Sequence, residues 1–551
     1  MFNLAHVHEA LASVIPDREC LIFRDRRFSW SQVTERTRRL ASVLRAHDLG
    51  CHTPRSALSN LSNWTSGQDH VALYLHNGNE YMEGMLGAFK ARCVPFNVNY
   101  RYVEEELLYL FDNADARAVV YHACFAQVLE KIRDRLSGVV LWLQVEDGSG
   151  NPLLPGAVEY ERALAEATPD PPQDLSADDL YILYTGGTTG MPKGVLWRQE
   201  DIFLAALTAG GAPESVGALQ GRVREGRGIR SLPAPPFMHG AAHWVAFNMW
   251  HIGGTVIVQS QVDRLDPDDI WSTVEREKVN AITIVGDAFA RPLLDQLEEK
   301  DYDLSSLFLV SSGGAILTAA LKDQLLAKLP QVRIMDALGS SETGAQAAHT
   351  STAGQKASTG SFAMSPGNVV LREDLSGILE PGSPDTGWLA RCGNVPLGYY
   401  KDEAKTAKTF PLVDGVRYAV PGDRAQVAED GTLRLLGRDS ATINSGGEKI
   451  FAEEVEHALK HHPSVYDAVV VGTPNERWGQ QVTAIVQLRA GDRPAEDELK
   501  KTAREHIASF KLPKAFVYVD QIVRAPSGKA DYRWAKSRAL EALGADNGKG
   551  A

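Results

Sequence analysis

The segment Leu180-Tyr181-Ile182-Leu183-Tyr184-Thr185-Gly186-Gly187-Thr188-Thr189-Gly190-Met191-Pro192-Lys193-Gly194 constrains the fold more than any other part of the chain. An apolar, aromatic run of strand type stops at six positions that hold three glycines and three threonines. Glycine permits close backbone approach, and threonine hydroxyls donate hydrogen bonds without adding charge. With Lys193, such a loop can bring N–H groups, hydroxyls and one ammonium to bear on a polyphosphate. It is not a Walker A loop, because Pro192 precedes Lys193 and Gly194 follows it. Residues 197–209 read as a helix entered through Glu200-Asp201, so the loop is expected to join a strand directly to a helix. A short Gly/Thr cluster alone would be a surface turn; the longer string argues otherwise.

That string closely resembles the phosphate-binding loop of the adenylate-forming superfamily, which includes acyl-CoA synthetases, luciferases and peptide-synthetase adenylation domains. The resemblance implies that Thr185, Gly186, Gly187, Thr188, Thr189, Gly190 and Lys193 bind ATP or AMP, with Lys193 also acting in catalysis. Further motifs follow in family order. Ser311-Ser312-Gly313-Gly314-Ala315 ends an apolar strand in a glycine turn, a flat wall of the kind a nucleobase needs; in the family it borders adenine. Asp336-Ala337-Leu338-Gly339-Ser340-Ser341-Glu342-Thr343-Gly344 is similar to the family's Tyr-Gly-x-Thr-Glu. Glu342 supplies the oxygen ligand that Mg2+ between phosphates needs, and Ser341 can donate a hydroxyl to the α-phosphate. Leu338 takes the place of an aromatic that would stack on adenine.

Pro421-Gly422-Asp423 resembles the family's Thr-Gly-Asp, which makes Asp423 the ribose ligand through paired hydrogen bonds to vicinal hydroxyls. Arg438 offers a permanent planar cation near ribose and phosphate. Ser440 stands where the family usually has an Asp or Lys hinge, a position that needs a backbone able to change conformation rather than a charge. Gly446 and Gly447 would let a thin pantetheine arm of CoA pass, although Ser-Gly-Gly is also a hairpin turn. Near the C-terminus Ala525-Pro526-Ser527-Gly528-Lys529 resembles the Pro-x-x-Gly-Lys that delivers the catalytic lysine. An ammonium set between carboxylate and α-phosphate stabilises the charge-dense pentacoordinate state. Pro235-Pro236-Phe237-Met238-His239-Gly240-Ala241-Ala242-His243-Trp244 lies in the acyl-pocket region. His239 either touches the carboxylate end of the acyl group or is a packed core histidine; Gly240, Ala241 and Trp244 are expected to line the pocket.

A chain of 551 residues exceeds one compact core. Apolar strands at Thr255-Val256-Ile257-Val258, Ala281-Ile282-Thr283-Ile284-Val285, Leu307-Phe308-Leu309-Val310 and Val332-Arg333-Ile334-Met335 alternate with helices near 267 and at 319–329, the pattern of an α/β sheet. Residues 71–120 read the same way, with helices near Tyr81 and Glu104. After Arg438 short strands surround two helices in a compact α+β unit, and the tail from Gly544 reads as disordered. The expected fold is therefore α/β: a large N-terminal domain of stacked α/β sheets with a small β subdomain (residues 1–437), and a small mobile α+β C-terminal domain (residues 438–551). Residues 51–67, rich in Ser, Asn and Pro, read as a surface loop.

No apolar run reaches the ~18 residues of a membrane span. The N-terminus shows no signal-peptide pattern, and five scattered cysteines form no CxxC pair, which places reduced thiols in a cytoplasm. A net charge of −13 argues against a nucleic-acid partner. It also means that anionic substrates must be held by a few local cations, Lys193, Arg438, Lys449 and Lys529, and by backbone dipoles. The partners expected are small molecules, with a homodimer left open.

The resemblance implies two half-reactions with ATP, Mg2+ and CoA. A carboxylate attacks the α-phosphorus to give acyl-AMP; the small domain then rotates about Ser440 and the CoA thiolate displaces AMP. Segments 186–203, 285–289 and 443–449 most resemble actinobacterial-type fatty-acyl and sterol-side-chain CoA ligases. The expected acid is thus a hydrophobic carboxylate of medium to large size, a steroid or bile-acid side chain included. Two other classes stay open: an adenylating enzyme with a different acceptor, and a non-catalytic nucleotide or acyl binder.

Overall fold

A computed structural model of the protein describes residues 1–58, 64–187, 190–209, 211–355, 357–445, 448–475, 477–491, 493–525 and 528–546. Among these residues the strands form four sheets. In one, Val94–Asn97, His70–Tyr74, Ala116–His122, Leu141–Val145 and Val158–Glu159 lie side by side, all parallel. Apart from the short edge strand Val158–Glu159, their near-continuous apolar runs are buried on both faces, as parallel strands crossed over by helices must be. The helices Asn79–Lys90 and Glu104–Asn113 make the first crossovers.

The largest sheet begins with a parallel core, Glu19–Phe23, Thr255–Val258, Arg230–Pro233, Ala281–Ile284, Leu309–Gly313 and Arg333–Ser340. It turns antiparallel at Gly344–Thr352 and continues into an all-β region that contains the neighbouring strands Leu433–Arg438 and Asp423–Val427. One continuous core joins the two sheets: Leu21, Phe23, Val256 and Val258 from the large sheet cluster with Val71, Leu73 and Val120 from the smaller one. The fully buried Trp30, Trp197 and Trp250 belong to the same cluster. Large and small bodies are thus arranged as the sequence implies, as an α/β fold with a smaller α+β body at the C-terminus.

Two local expectations are corrected. The glycine loop does not run from strand to helix. Leu180–Gly187 and Gly190–Arg198 form an antiparallel hairpin, extended by Gly398–Tyr399, and the helix is only Gln199–Ala206. Trp197, where the expected helix begins, is buried and pairs with Tyr181, so cross-strand pairing outweighs the weak helical pattern there. The strand placed at 307–310 lies instead at Leu309–Gly313, bringing Gly313 into the sheet.

In the C-terminal body Glu448–Phe451, Thr442–Ser445, Gly479–Leu488 and Val465–Asn475 are neighbours, and Ala515–Val519 pairs parallel to Gly479–Leu488. Helices Ala452–Leu459 and Glu496–Arg504 are joined by a further one, Tyr532–Asp546, where the sequence reading had counted two and a disordered tail from Gly544. The buried side of the last helix is Ala535 and Ala539, packed on Val469 and Ile485; alanines give little hydrophobic contrast in a sequence. Among the described residues no helix is long and apolar enough to cross a membrane.

Asn97 pins the glycine hairpin to the smaller sheet. Its Nδ2 donates to the carbonyls of Tyr184 and Met238, each at 2.8 Å, while Oδ1 accepts from the Tyr184 N–H at 2.7 Å. Removing this buried amide leaves three backbone groups without partners. Asn97→Ala is expected to lower stability by about 3 kcal/mol, read from the denaturant midpoint. A midpoint unchanged within error would show that the backbone groups find other partners.

Candidate active site

The parallel strands of the large sheet end, at their C-terminal edge, on a cavity of about 720 Å³. This is the edge at which open α/β sheets bind ligands, because loops diverge there and helix N-termini point in. Thr185 and Gly186 from the hairpin, Gly313 and Gly314, Leu338 to Ser341, and Lys529 all line it. Gly314 has φ +86°, a value that favours glycine, and a Cβ there would touch the Lys529 Cε at 4.0 Å.

At the hairpin, Gly187 pairs with Gly190 across the turn, and Thr188 and Thr189 lie outside the described residues. Lys193 Nζ sits 3.9 Å from Asp402 and 5.9 Å from the ring centre of Tyr399. Glu342 occupies the turn between Arg333–Ser340 and Gly344–Thr352, and the Tyr399 hydroxyl donates to its Oε1 at 2.7 Å. Arg391 braces this turn from below, donating to the carbonyls of Thr343 at 3.0 Å and Ala205 at 3.2 Å. The Trp197 indole N–H holds the Ser341 carbonyl at 2.9 Å. Neither Tyr399, Asp402 nor Arg391 was foreseen; the Gly-Tyr-Tyr-Lys-Asp string offered no chemistry that marked it apart from an ordinary turn. Lys405 is a further unforeseen cation, its ammonium pushed down by burial and by the neighbouring Lys193 and Lys408. One carboxylate supported by a phenol suits Mg2+, which takes one or two carboxylates and draws its other oxygens from phosphates and water.

The residues expected at the nucleoside are built on a cross-strand pair. Asp423 lies opposite Arg438, whose Nε donates to its Oδ1 at 2.9 Å. That carboxylate is foremost among the groups that hold the guanidinium protonated. Ser440 follows in a short helical turn, Asp439–Ala441. Lys529 returns from the C-terminal body on a tight loop in which the Gly528 N–H donates to Ala525 O at 2.8 Å and the Ala525 N–H to Lys529 O at 2.9 Å. Gly528 has φ +73°, and a Cβ on it would come within 2.9 Å of Val285, so the loop can seat on the large body only with glycine here. Pro526 and Ser527 lie outside the described residues.

Burial, and then Arg438, push the Lys529 ammonium below its ordinary value, against the pull of Glu342, Asp423 and Glu453. The structure therefore brings Lys529, Glu342, Asp423 and Arg438 into one electrostatic group. Glu453 was not foreseen; burial first, then Glu456 and Asp423, push its carboxyl up to about 7. Gly446 and Gly447 lie outside the described residues, and Lys449 reaches Glu373 at 2.7 Å rather than the cavity.

The residues expected to line an acyl pocket lie at the N-terminal turn of the helix Gly240–His251. A Cβ at Gly240 would approach Leu183 at 2.9 Å and Trp244 at 3.2 Å, so glycine lets the helix close on the hairpin. His243 is locked: its Nδ1 donates to Phe237 O at 2.7 Å, leaving Nε2 to accept from the Tyr181 hydroxyl at 2.5 Å. That hydroxyl in turn accepts from the Trp244 indole at 2.9 Å. His239 is half-buried in the cavity wall, its Nε2 has no hydrogen-bond partner among the described residues, and desolvation followed by Lys529 pushes it down to about 3, so it is neutral. Ala241 also lines the cavity.

A profile of AMP-binding enzymes matches residues 9–387, and one of the AMP-binding enzyme C-terminal domain matches residues 454–529. The chain belongs to the AMP-binding enzymes. This AMP-binding enzyme is 51% identical to the medium-chain acyl-CoA ligase Mig of Mycobacterium avium, over 98% of each chain. It is 42% identical to the 3-oxocholest-4-en-26-oate–CoA ligase of Rhodococcus rhodochrous, over 97% of this chain and 96% of that one. Its fold matches ATP-bound MatB from Rhodopseudomonas palustris with a TM-score of 0.79, over 97% and 98% of the two chains at 24% identity.

Two variants probe this AMP-binding site. Tyr399→Phe removes the hydroxyl that orients Glu342 and is expected to lower pyrophosphate exchange about tenfold at limiting Mg2+, with partial recovery at high Mg2+. An unchanged Mg2+ dependence would separate Tyr399 from the metal. Glu453 gives a pH dependence. Because its folded value is raised to about 7 from 4.5, its contribution favours the folded form below about pH 4.5 and is lost as pH rises to about 7. Glu453→Gln is expected to remove a loss on the order of 3 kcal/mol across that interval, seen as a flatter plot of unfolding free energy against pH.

Proposed function

We propose that the protein is an ATP-dependent carboxylate–CoA ligase that converts a hydrophobic carboxylic acid to its CoA thioester through an acyl-AMP. The observation that carries this reading is the placement of Lys529 in the same cavity as the Gly313-Gly314 wall and the apolar side of the Gly240–His251 helix. An ammonium there stands between a nucleotide seat and an acyl seat, where a carboxylate and an α-phosphate would meet. Relatives over nearly the full length are named as ligases of medium-chain, long-chain and sterol acids, which supports both the acceptor and the hydrophobic class of acid.

In the first step a carboxylate oxygen bonds to the α-phosphorus and the bond to the β-phosphate oxygen breaks, releasing pyrophosphate. Lys529 offsets charge on the α-phosphate. Lys193, with Thr185 to Gly190, holds the phosphates, and Glu342 would hold Mg2+, which neutralises developing charge on the leaving oxygens. Asp423 and Arg438 hold the ribose, and Gly313, Gly314, Ala315 and Leu338 to Ser341 form the nucleotide wall. In the second step the CoA sulfur attacks the acyl carbonyl and AMP leaves with the bonding electrons.

Shielding a labile anhydride and admitting a thiol are opposed demands on one opening. A rotation of residues 438–551 about Ser440, withdrawing Lys529 and presenting Gly446-Gly447, meets both. The reading also places the protein in the cytoplasm, with its assembly, monomer or homodimer, open to light scattering.

Assaying thioester formation with ATP and CoA over acetate, octanoate, palmitate, an aryl acid and a sterol acid tests the proposal. Each added buried methylene should improve binding by about 0.8 kcal/mol until the cavity is filled. A clear preference for acetate would sink the hydrophobic assignment, and ATP binding without turnover would sink the ligase. Lys529→Ala should lose ~10²-fold or more in acyl-AMP formation while ligation of pre-formed acyl-AMP survives. Equal loss in both steps would make Lys529 a structural residue.

A further inference from the structure

The loop that carries Lys529 into the cavity is held from two sides. On one side it meets the large body directly. Gly528 packs on Val285, the residue before the helix Gly286–Glu299, so closely that a Cβ would come within 2.9 Å of it. On the other side it is held by Arg524, from its own body. The guanidinium Nε and Nη2 donate to the two oxygens of Asp467 at 2.7 and 2.8 Å, and Nη1 donates to the Gly528 carbonyl at 3.1 Å. That carbonyl shares a planar peptide unit with the Lys529 nitrogen, so fixing the oxygen fixes where the lysine side chain sets out.

The chain of contacts does not end at Asp467. Its carboxylate also lies 3.3 Å from the Lys460 ammonium, which lies 3.3 Å from Asp287 of the large body. Burial opposes charge on Asp467, yet Lys460 and then Arg524 hold its carboxyl down at about 2, so it is an anion shared by two cations. Asp287 is itself held in place. Its N–H donates to Ile316 O at 3.0 Å, and its Oδ1 accepts from the Thr318 N–H at 2.8 Å. The other oxygen, Oδ2, takes Lys460.

Val285 and Asp287 are two residues apart on one segment. The contacts Asp287–Lys460–Asp467–Arg524–Gly528 therefore close a ring that returns to Val285. A single contact between two bodies leaves a pivot, whereas two attachments on one segment fix the angle. The chemistry demands such precision, since a shift of about 1 Å at the reacting atoms costs on the order of 10²-fold in rate. Lys529 and Val285 line the cavity, but Asp287, Lys460, Asp467 and Arg524 do not, so these four act through the lysine rather than on a ligand.

We propose that Arg524 is a positioning residue for Lys529 in acyl-AMP formation, and that the Asp287–Lys460 contact engages it by registering the two bodies when they dock. The inference rests on the ligase reading and on the rotation that withdraws Lys529 for the second step. Once the bodies part, the ring is open and the second step does not use it.

The test measures two rates separately: acyl-AMP formation by pyrophosphate exchange, and thioester formation from pre-formed acyl-AMP and CoA. The acid is whichever of octanoate, palmitate and a sterol acid the wild type activates fastest. Arg524→Met is expected to slow the first rate roughly 10- to 100-fold, with KM for ATP changed less than about twofold. Arg524→Lys separates positioning from charge alone. A lysine keeps the ion pair with Asp467 but has no planar fork to hold Gly528 as well, so it should restore the melting temperature and leave most of the rate loss. Asp287→Asn retains an oxygen for the Thr318 N–H and loses the charge facing Lys460. It and Lys460→Met should each slow the first rate about fivefold, and the double variant no more than either. The second rate should stay within about twofold of wild type throughout. Equal losses in both rates, full recovery of the first rate in Arg524→Lys, additive losses in the double variant, or an active wild type whose variants are all unchanged would overturn the inference. A wild type that forms acyl-AMP from none of these acids would overturn the ligase reading instead.

Discussion

The contact between Arg438 and Asp423 governs how the two bodies meet. It closes the last strand pair of the large sheet region at 2.9 Å, one turn before the chain crosses into the C-terminal body. Asp423 and Arg438 act on Lys529 with opposite signs, so the pair sets the field felt by the lysine, and Asp423 is the carboxylate proposed to seat the ribose. A guanidinium suits the position because it stays charged whatever its surroundings, where a lysine would lose its proton beside another buried ammonium.

The charge balance of the site follows from the same logic. A chain of net charge −13 cannot attract anions at long range, yet Lys529 lines the cavity, and Lys405, Arg438 and Lys529 all interact with Glu342, with Lys193 beside Lys405. In the free protein a carboxylate accompanies these cations: Asp402 beside Lys193, Asp423 beside Arg438, and Glu342 near Lys405, Arg438 and Lys529. An anion entering such a cluster would exchange one set of ion pairs for another rather than neutralise bare charge. The desolvation of Lys529 is then partly offset before any ligand arrives.

Much of this arrangement was legible in the sequence, for a physical reason. Glycines at positive φ or under close contact, such as Gly314 and Gly528, and a carboxylate or lysine beside them, are local requirements that a motif records. The parallel sheet was legible because its strands are buried on both faces and so are apolar throughout. What escaped depends on partners distant in sequence. Tyr399 matters only because Glu342 lies beside it, 57 positions away, and Glu453 only because the two bodies enclose it. The helix expected from Trp197 onward begins two residues later, because Trp197 gains its strand pairing from Tyr181, which local periodicity does not include. The bulge that leaves Gln346 between the pairs Leu338–Ala347 and Gly339–Ala345 is a property of register between two strands, which no single strand's pattern contains.

The contacts between the bodies bear on whether the proposed rotation is physically reasonable. Away from the Lys529 loop they are largely polar: Tyr466 to Asp295 at 3.4 Å, Arg489 to Asp295 at 3.9 Å, and Lys449 to Glu373 at 2.7 Å. Exposed pairs of this sort contribute little and re-form readily with water or new partners. Lys460 is the buried exception, 10% exposed and 3.3 Å from Asp287 of the large body. A buried ion stripped of its partner would resist separation strongly. Lys460 is, however, also 3.3 Å from Asp467 within its own body, and Asp287 keeps the Thr318 N–H at 2.8 Å. Each charge therefore retains a partner after the bodies part, so the deepest ion pair at the interface does not lock it.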